Sequence, residues 1–130
     1  MKVIVISPNP KSLYTTSLCS LLIKNNIEIS AVFVKKFSLT RFKNEFSRDG
    51  LRLIKKIWNK LILGQLAYKK NNSDNIIKFR DLNNIKMDHV NELKKNNTKI
   101  FYVNDINSTY VEDEFKKFKP SLVLFTGGGI

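Results

Sequence analysis

Four short apolar runs constrain the fold of this chain more than any other feature of its sequence. They are rich in β-branched and aromatic residues, and each is too short to be a helix of typical length. Strands that are apolar on both faces are typical of a parallel sheet covered on both sides. The runs lie at residues 2–6 (KVIVI), 29–34 (ISAVFV), 100–103 (IFYV) and 122–125 (LVLF).

Helical patterns alternate with these runs. Residues 13–24 carry a leucine stripe, and a Thr109-x-x-Glu112 capping box, with Asn107 and Ser108 as competing caps, opens a helix that Pro120 stops. That helix presents one apolar face, formed by Val111, Phe115 and Phe118. Two further stretches, one ambiguous and one weakly helical, cover residues 76–82 and 88–95.

Alternating strands and helices predict an α/β fold, a Rossmann-like parallel sheet with right-handed crossovers and helices on both faces. The fourth strand is wholly apolar, so we expect it to have a neighbour on each side. Because a glycine-rich turn follows that strand immediately, we expect the domain to be truncated after it.

The positive charge is concentrated in one segment. Between Lys35 and Arg80 there are thirteen basic and three acidic residues, a net of +10 out of +12 for the whole chain. Helical periodicity predicts a basic helical segment at about residues 38–68, broken near Gly50. Such a segment can bind RNA phosphates, and Phe42, Phe46 and Trp58 could stack on bases, but the spacing of these aromatics favours a buried helical face.

Composition excludes several classes of protein. A chain of 130 residues fits one domain, and its single cysteine, Cys19, excludes an internal disulfide and favours a buried thiol. There is no signal-peptide pattern and no stretch of about 20 apolar residues. We therefore expect a cytoplasmic protein with no membrane span.

Ligands of open α/β sheets bind beyond the carboxyl ends of the strands, where the strand order reverses. If the first strand lies beside the fourth, the loops that follow them share one crevice. Glycines there let a ligand approach the backbone, and hydroxyl groups at a helix start suit an anion; the hydroxyl residues are Ser12, Thr15 and Thr16. The first loop has no G-x-G-x-x-G, which counts against a standard dinucleotide site.

The segments at residues 103–108 and 118–130 resemble the formyltransferase family, which includes methionyl-tRNA formyltransferase and sugar N-formyltransferases. The family shows an N-S-P-E helix start and a K-P-D before an apolar strand that ends in a small-residue turn. Here Thr109-Tyr110 and Ser121 depart from that pattern. The stretch at residues 50–66 also resembles a helical region of sugar formyltransferase relatives.

This resemblance implies transfer of a formyl group from 10-formyltetrahydrofolate to an amine acceptor, a sugar amine or an aminoacyl-tRNA. It implies that the turn after the fourth strand lines the folate site and that the first loop lies where some members hold the substrate. The implied folate-binding residues are Gly127, Gly128, Gly129 and Ile130, and the implied substrate-binding residues are Asn9, Lys11 and Ser12.

The family's catalytic Asn, His and Asp follow the turn at residues 127–130, so none falls within these 130 residues. The lone histidine, His89, does not match the family's motif and is predicted to be an exposed helix or loop residue. We therefore expect the 130-residue chain alone to transfer no formyl group. The alternative is a noncatalytic Rossmann-like module that binds a nucleotide or, through its basic segment, RNA.

Overall fold

The computed structural model describes residues 1–36 and 73–127, together with the isolated positions 43, 47, 50 and 51. Its centre is a parallel sheet of four strands in the order β3-β2-β1-β4. The predicted Rossmann-like parallel sheet is thereby confirmed. The strands are β1 (Lys2–Ser7), β2 (Glu28–Lys35), β3 (Lys99–Val103) and β4 (Leu122–Phe125).

The described helices follow the predicted alternation. They are α1 (Leu13–Lys24), α2 (Ser73–Leu82), a 3₁₀ helix (Val90–Asn96) and α3 (Thr109–Phe118). The ambiguous stretch at residues 76–82 is therefore helical, and the weak helix at 88–95 takes the tighter 3₁₀ form. No helix in the described ranges has the length and apolar character needed to cross a bilayer.

The chain divides into two compact units. The first unit holds Met1–Lys36 and Ile85–Ile130, and therefore contains the whole sheet; the second comprises Phe37–Asn84 and contains α2. The predicted basic helical segment at residues 38–68 belongs to the second unit in sequence, but it lies outside the described residues apart from a few isolated positions.

Side chains that alternate along β1 and β2 build a core on each face of the sheet. On one face, Val3 and Val5 pack with α1 and the 3₁₀ helix through Cys19 and Leu93. On the other face, Ile4 and Ile6 join Phe33 of β2 and the apolar side of α3, with Val111 buried and Phe115 and Phe118 packed against the cluster. Helices thus cover both faces, as the sequence predicts.

Cys19 lies in the core of the first face and is fully buried. Burial disfavours the thiolate and raises the pKa of this thiol to about 12. The thiol therefore acts as a small apolar side chain rather than as a nucleophile.

One local expectation is wrong. The capping box at Thr109 does not form, because Ser108 is the N-cap of α3. The Ser108 hydroxyl donates to the Asp105 carbonyl, and the Glu112 carboxylate pairs with Lys116 at 2.8 Å. In addition, β4 pairs only with β1 among the described strands. Leu122 is 42% exposed and Phe125 is 58% exposed, as befits a strand at a sheet edge.

Phe33 is the largest fully buried side chain among the described residues, and its ring stacks on Phe101 with centroids 4.8 Å apart and meets Phe115 edge-on at 4.9 Å. We expect Phe33→Leu to lower the free energy of unfolding by about 1–2 kcal/mol, because both ring contacts are lost. Urea denaturation measures this. The control is Tyr110→Leu on the exposed side of α3, and equal losses in the two variants would contradict the packing described here.

Candidate functional site

The strand order reverses at β1. The chain moves outward from β1 through β2 to β3, and then returns to place β4 on the opposite side of β1. Val3 to Ile6 pair in parallel with residues 122–125, so both strands end at the same edge of the sheet. The condition on which the predicted crevice depends is confirmed, because the loops after β1 and β4 leave the sheet side by side.

The loop between β1 and α1 is fixed by bonds within itself. The Asn9 side-chain oxygen accepts the Lys11 N–H at 2.8 Å, and the Ser12 hydroxyl caps α1 by accepting the Thr15 N–H at 3.3 Å. The side chains of two predicted substrate residues, Asn9 and Ser12, are thus already bonded to backbone. The third, Lys11, is exposed to solvent.

A second contact anchors this loop from outside. The Pro10 carbonyl accepts the Val90 N–H at 2.9 Å, where the 3₁₀ helix begins. That helix start is held by His89, whose Nδ1 accepts the Asn91 N–H at 3.1 Å. His89 is therefore a half-buried capping residue, whereas the sequence predicts an exposed one. The lone pair of its Nδ1 is already used in the cap, so that atom cannot act as a catalytic base.

Glu92 completes the cap. One of its carboxylate oxygens accepts the N–H groups of Asp88 at 2.9 Å and His89 at 3.1 Å. The bond from Asp88 has the largest effect and lowers the pKa of this carboxyl; partial burial opposes it, and the bond from His89 and the positive charge of Lys95 add smaller lowering effects, so the pKa lies below its ordinary value. The ionised carboxylate thus holds the segment to which Pro10 is bonded.

Three hydroxyl groups connect the ends of β1, α1 and β4. The buried Thr15 hydroxyl lies 2.8 Å from that of Ser7 and 2.6 Å from that of Thr126. We call the hydroxyl groups of Ser7, Thr15 and Thr126 the hydroxyl chain. At its two ends, the Ser7 hydroxyl oxygen lies 2.7 Å from the Asn9 carbonyl oxygen, and the Thr126 hydroxyl oxygen lies 3.0 Å from the Ile6 carbonyl oxygen. The Thr126 N–H also donates to Ile6, at 3.1 Å, so the turn after β4 is fastened directly to β1.

The hydroxyl groups expected to suit an anion are directed into the protein instead. Ser12 caps its own helix, Thr15 is fully buried, and Thr16 donates to the carbonyls of Ser12 and Leu13. The sequence did not single out Ser7 or Thr126. The signal available was that each is a hydroxyl residue placed immediately at the end of an apolar strand.

Gly127 is the one predicted folate residue that the structure describes, and Gly128, Gly129 and Ile130 lie outside the described residues. Its φ is +101°, a conformation that residues with a side chain rarely adopt. A Cβ built on Gly127 would meet nothing within 4 Å. Glycine therefore suits this backbone conformation, and no described residue lies where a side chain at this position would point.

Two surface clefts formed by described residues lie elsewhere. The larger, of about 380 Å³, is at the amino edge of the sheet and is lined by Lys2, Lys99, Lys117 and Phe118 among others. A smaller one of about 290 Å³ lies beside the start of α3. We place the candidate site at the carboxyl edge, because open α/β sheets bind ligands there. In the larger cleft Lys117 is paired with Glu114, and Lys99 lies over the Phe118 ring.

Within the described ranges there is no group of three or more His, Cys, Asp or Glu residues that could hold a metal ion. Comparison with protein-family models, with curated proteins and with solved structures finds no match for this chain.

We expect Glu92→Gln to destabilise the protein by about 1 kcal/mol at neutral pH, because a neutral amide replaces a carboxylate that caps two N–H groups. The folded-state pKa of Glu92 is lowered, so its contribution is present above the unfolded pKa and is lost as pH falls through the folded pKa. Thermal unfolding from pH 7 to 3 should therefore show the wild type and the variant converging.

Glu112→Gln is the matched control, since the pKa of Glu112 is also lowered, but by an exposed lysine, Lys116. A gap between wild type and Glu92→Gln that stays constant down to pH 3 would contradict the capping role.

We expect Thr15→Val to cost about 1 kcal/mol and to speed hydrogen exchange of the Thr126 amide, because the middle of the hydroxyl chain is removed. Ser20→Ala is the control, since Ser20 lies on the same helix and donates only locally, to Thr16 at 2.8 Å. Equal protection of the Thr126 amide in both variants would show that the hydroxyl chain does not hold the turn.

Proposed function

We propose that this chain is the N-terminal α/β portion of a formyltransferase, which moves a formyl group from 10-formyltetrahydrofolate to an amine. The observation that supports this proposal above all others is the parallel pairing of β1 with β4. It brings the turn implied to bind folate next to the loop implied to bind the acceptor, at the edge where α/β sheets bind ligands.

The geometry of each loop suits its proposed role. The turn at Gly127 carries no side chain and lies next to an anchored threonine, so a flat ring can approach the backbone closely there. The loop at residues 8–12 is tied to Val90 through Pro10 and to itself through Asn9, so its position is set before any ligand arrives. Such preorganisation reduces the entropy lost on binding.

The reaction itself needs groups beyond these. Formyl transfer passes through a tetrahedral intermediate whose oxyanion needs fixed donors, and the attacking amine must lose a proton to a base. The only histidine of the chain, His89, already uses Nδ1 in a helix cap. In this proposal the 130 residues bind and orient the folate and the acceptor, while the reacting groups lie on a further segment, as the family resemblance implies.

Calorimetric titration with 5-formyltetrahydrofolate, a stable isomer of the donor, tests the proposal. We expect the 130-residue chain to bind it, and Gly127→Ala to weaken binding by about tenfold or more, because alanine strains a turn with φ of +101° and shifts the backbone that faces the ligand.

Gly50→Ala is the matched control. Gly50 also has a positive φ, +53°, and an open surrounding, but it lies in the second compact unit. Absence of folate binding to the wild type, or equal weakening by both substitutions, would refute the proposed site.

A further inference from the structure

The hydroxyl chain contains more oxygen contacts than hydrogen atoms. Its three hydroxyl groups, on Ser7, Thr15 and Thr126, carry three hydrogens, yet they take part in four contacts of 2.6 to 3.0 Å, counting the carbonyls of Asn9 and Ile6. Each hydrogen bond uses one hydrogen. At most three of the four contacts can therefore be hydrogen bonds, and this maximum is reached only when each hydroxyl donates within the chain.

One arrangement satisfies the chain best. If Thr126 donates to Thr15, Thr15 to Ser7, and Ser7 to the Asn9 carbonyl, the three shortest contacts are all hydrogen bonds. The contact left without a hydroxyl hydrogen is then the longest, between Thr126 and the Ile6 carbonyl. That carbonyl still accepts the Thr126 N–H, so no buried acceptor is left unsatisfied.

In each arrangement that leaves only one of the four contacts without a hydrogen, Thr126 donates its hydroxyl hydrogen to either Thr15 or Ile6. Turning that hydrogen outward would leave at least two of the contacts without one. Thr126 is the half-buried member of the hydroxyl chain, whereas Ser7 and Thr15 are fully buried. In those arrangements Thr126, the partly exposed member of the hydroxyl chain, has lone pairs but no hydrogen left for a ligand.

We propose that the Thr126 hydroxyl is an acceptor-only contact that makes the carboxyl-edge site select ligand groups bearing N–H or O–H donors. A phosphate or carbonyl oxygen placed against it would meet a lone pair, which repels it. The proposal rests on the proposed function for its location, since that function places a ligand at the turn after β4. It adds the chemical polarity of the ligand group that lies there.

Titrations followed by amide NMR test this polarity in the 130-residue chain. The probes are 2-aminopyrimidin-4-one, which carries N–H donors, 1,3-dimethyluracil, a ring of similar size with acceptors only, and inorganic phosphate. We expect the first probe to shift the Thr126 and Gly127 amides and to bind about five- to tenfold more tightly than the second, the effect of about one hydrogen bond. Phosphate should leave both amides unshifted.

Three variants separate an acceptor from a structural role. Thr126→Val should abolish the preference for the donor-bearing ring, whereas Thr126→Ser should keep it, because the hydroxyl remains. Thr15→Val breaks the hydroxyl chain but leaves the Thr126 lone pairs in place, so it should also keep the preference. A preference that persists in Thr126→Val, or that disappears equally in Thr15→Val, would overturn the proposal.

Phosphate or 1,3-dimethyluracil shifting Thr126 as strongly as the donor-bearing ring would also overturn it, as would no shift from either ring. Titration with 5-formyltetrahydrofolate separates the two proposals. If the donor-bearing ring behaves as expected and the folate does not bind, the proposed function fails and the acceptor role stands. If the folate binds equally to the wild type and to Thr126→Val, only the acceptor role fails.

Discussion

The pairing of β1 with β4 is the constraint on which the rest of this structure depends. It makes β1 an inner strand, bonded to β2 on one side and to β4 on the other, and it creates the reversal in strand order. Both cores pass through the side chains of β1, which point alternately to the two faces. Without this pairing, the loop after β1 and the turn at Gly127 would have no common edge.

Sequence patterns predict the backbone elements of the first compact unit well. The apolar runs are continuous, and strands of this kind are typical of a parallel sheet covered by helices on both faces. The type of sheet and the approximate strand boundaries therefore follow from where the apolar runs lie in the sequence. Sequence left the cap of α3 open among Asn107, Ser108 and Thr109, because all three are good cap residues; the structure selects Ser108, whose hydroxyl bonds back to Asp105. The second neighbour expected for β4 is not among the described strands.

The site could be predicted only as an edge of the sheet and a pair of loops. The hydrogen bond between Thr15 and Thr126 joins residues 111 positions apart, and no local pattern records it. The capping role of His89 is similar, since a histidine accepting an N–H through Nδ1 is not among the common cap residues. Side-chain chemistry that depends on tertiary neighbours therefore came from the structure alone.

The bond between Thr126 and Ile6 spans 120 positions. During synthesis β1 emerges long before β4, so one of its long edges stays unpaired until residue 125 has been translated. For that interval the apolar residues Val3 to Ile6 offer a free edge to any other nascent chain. Pairing with β4 closes that edge, so the fourth strand also protects the first one from edge-to-edge association.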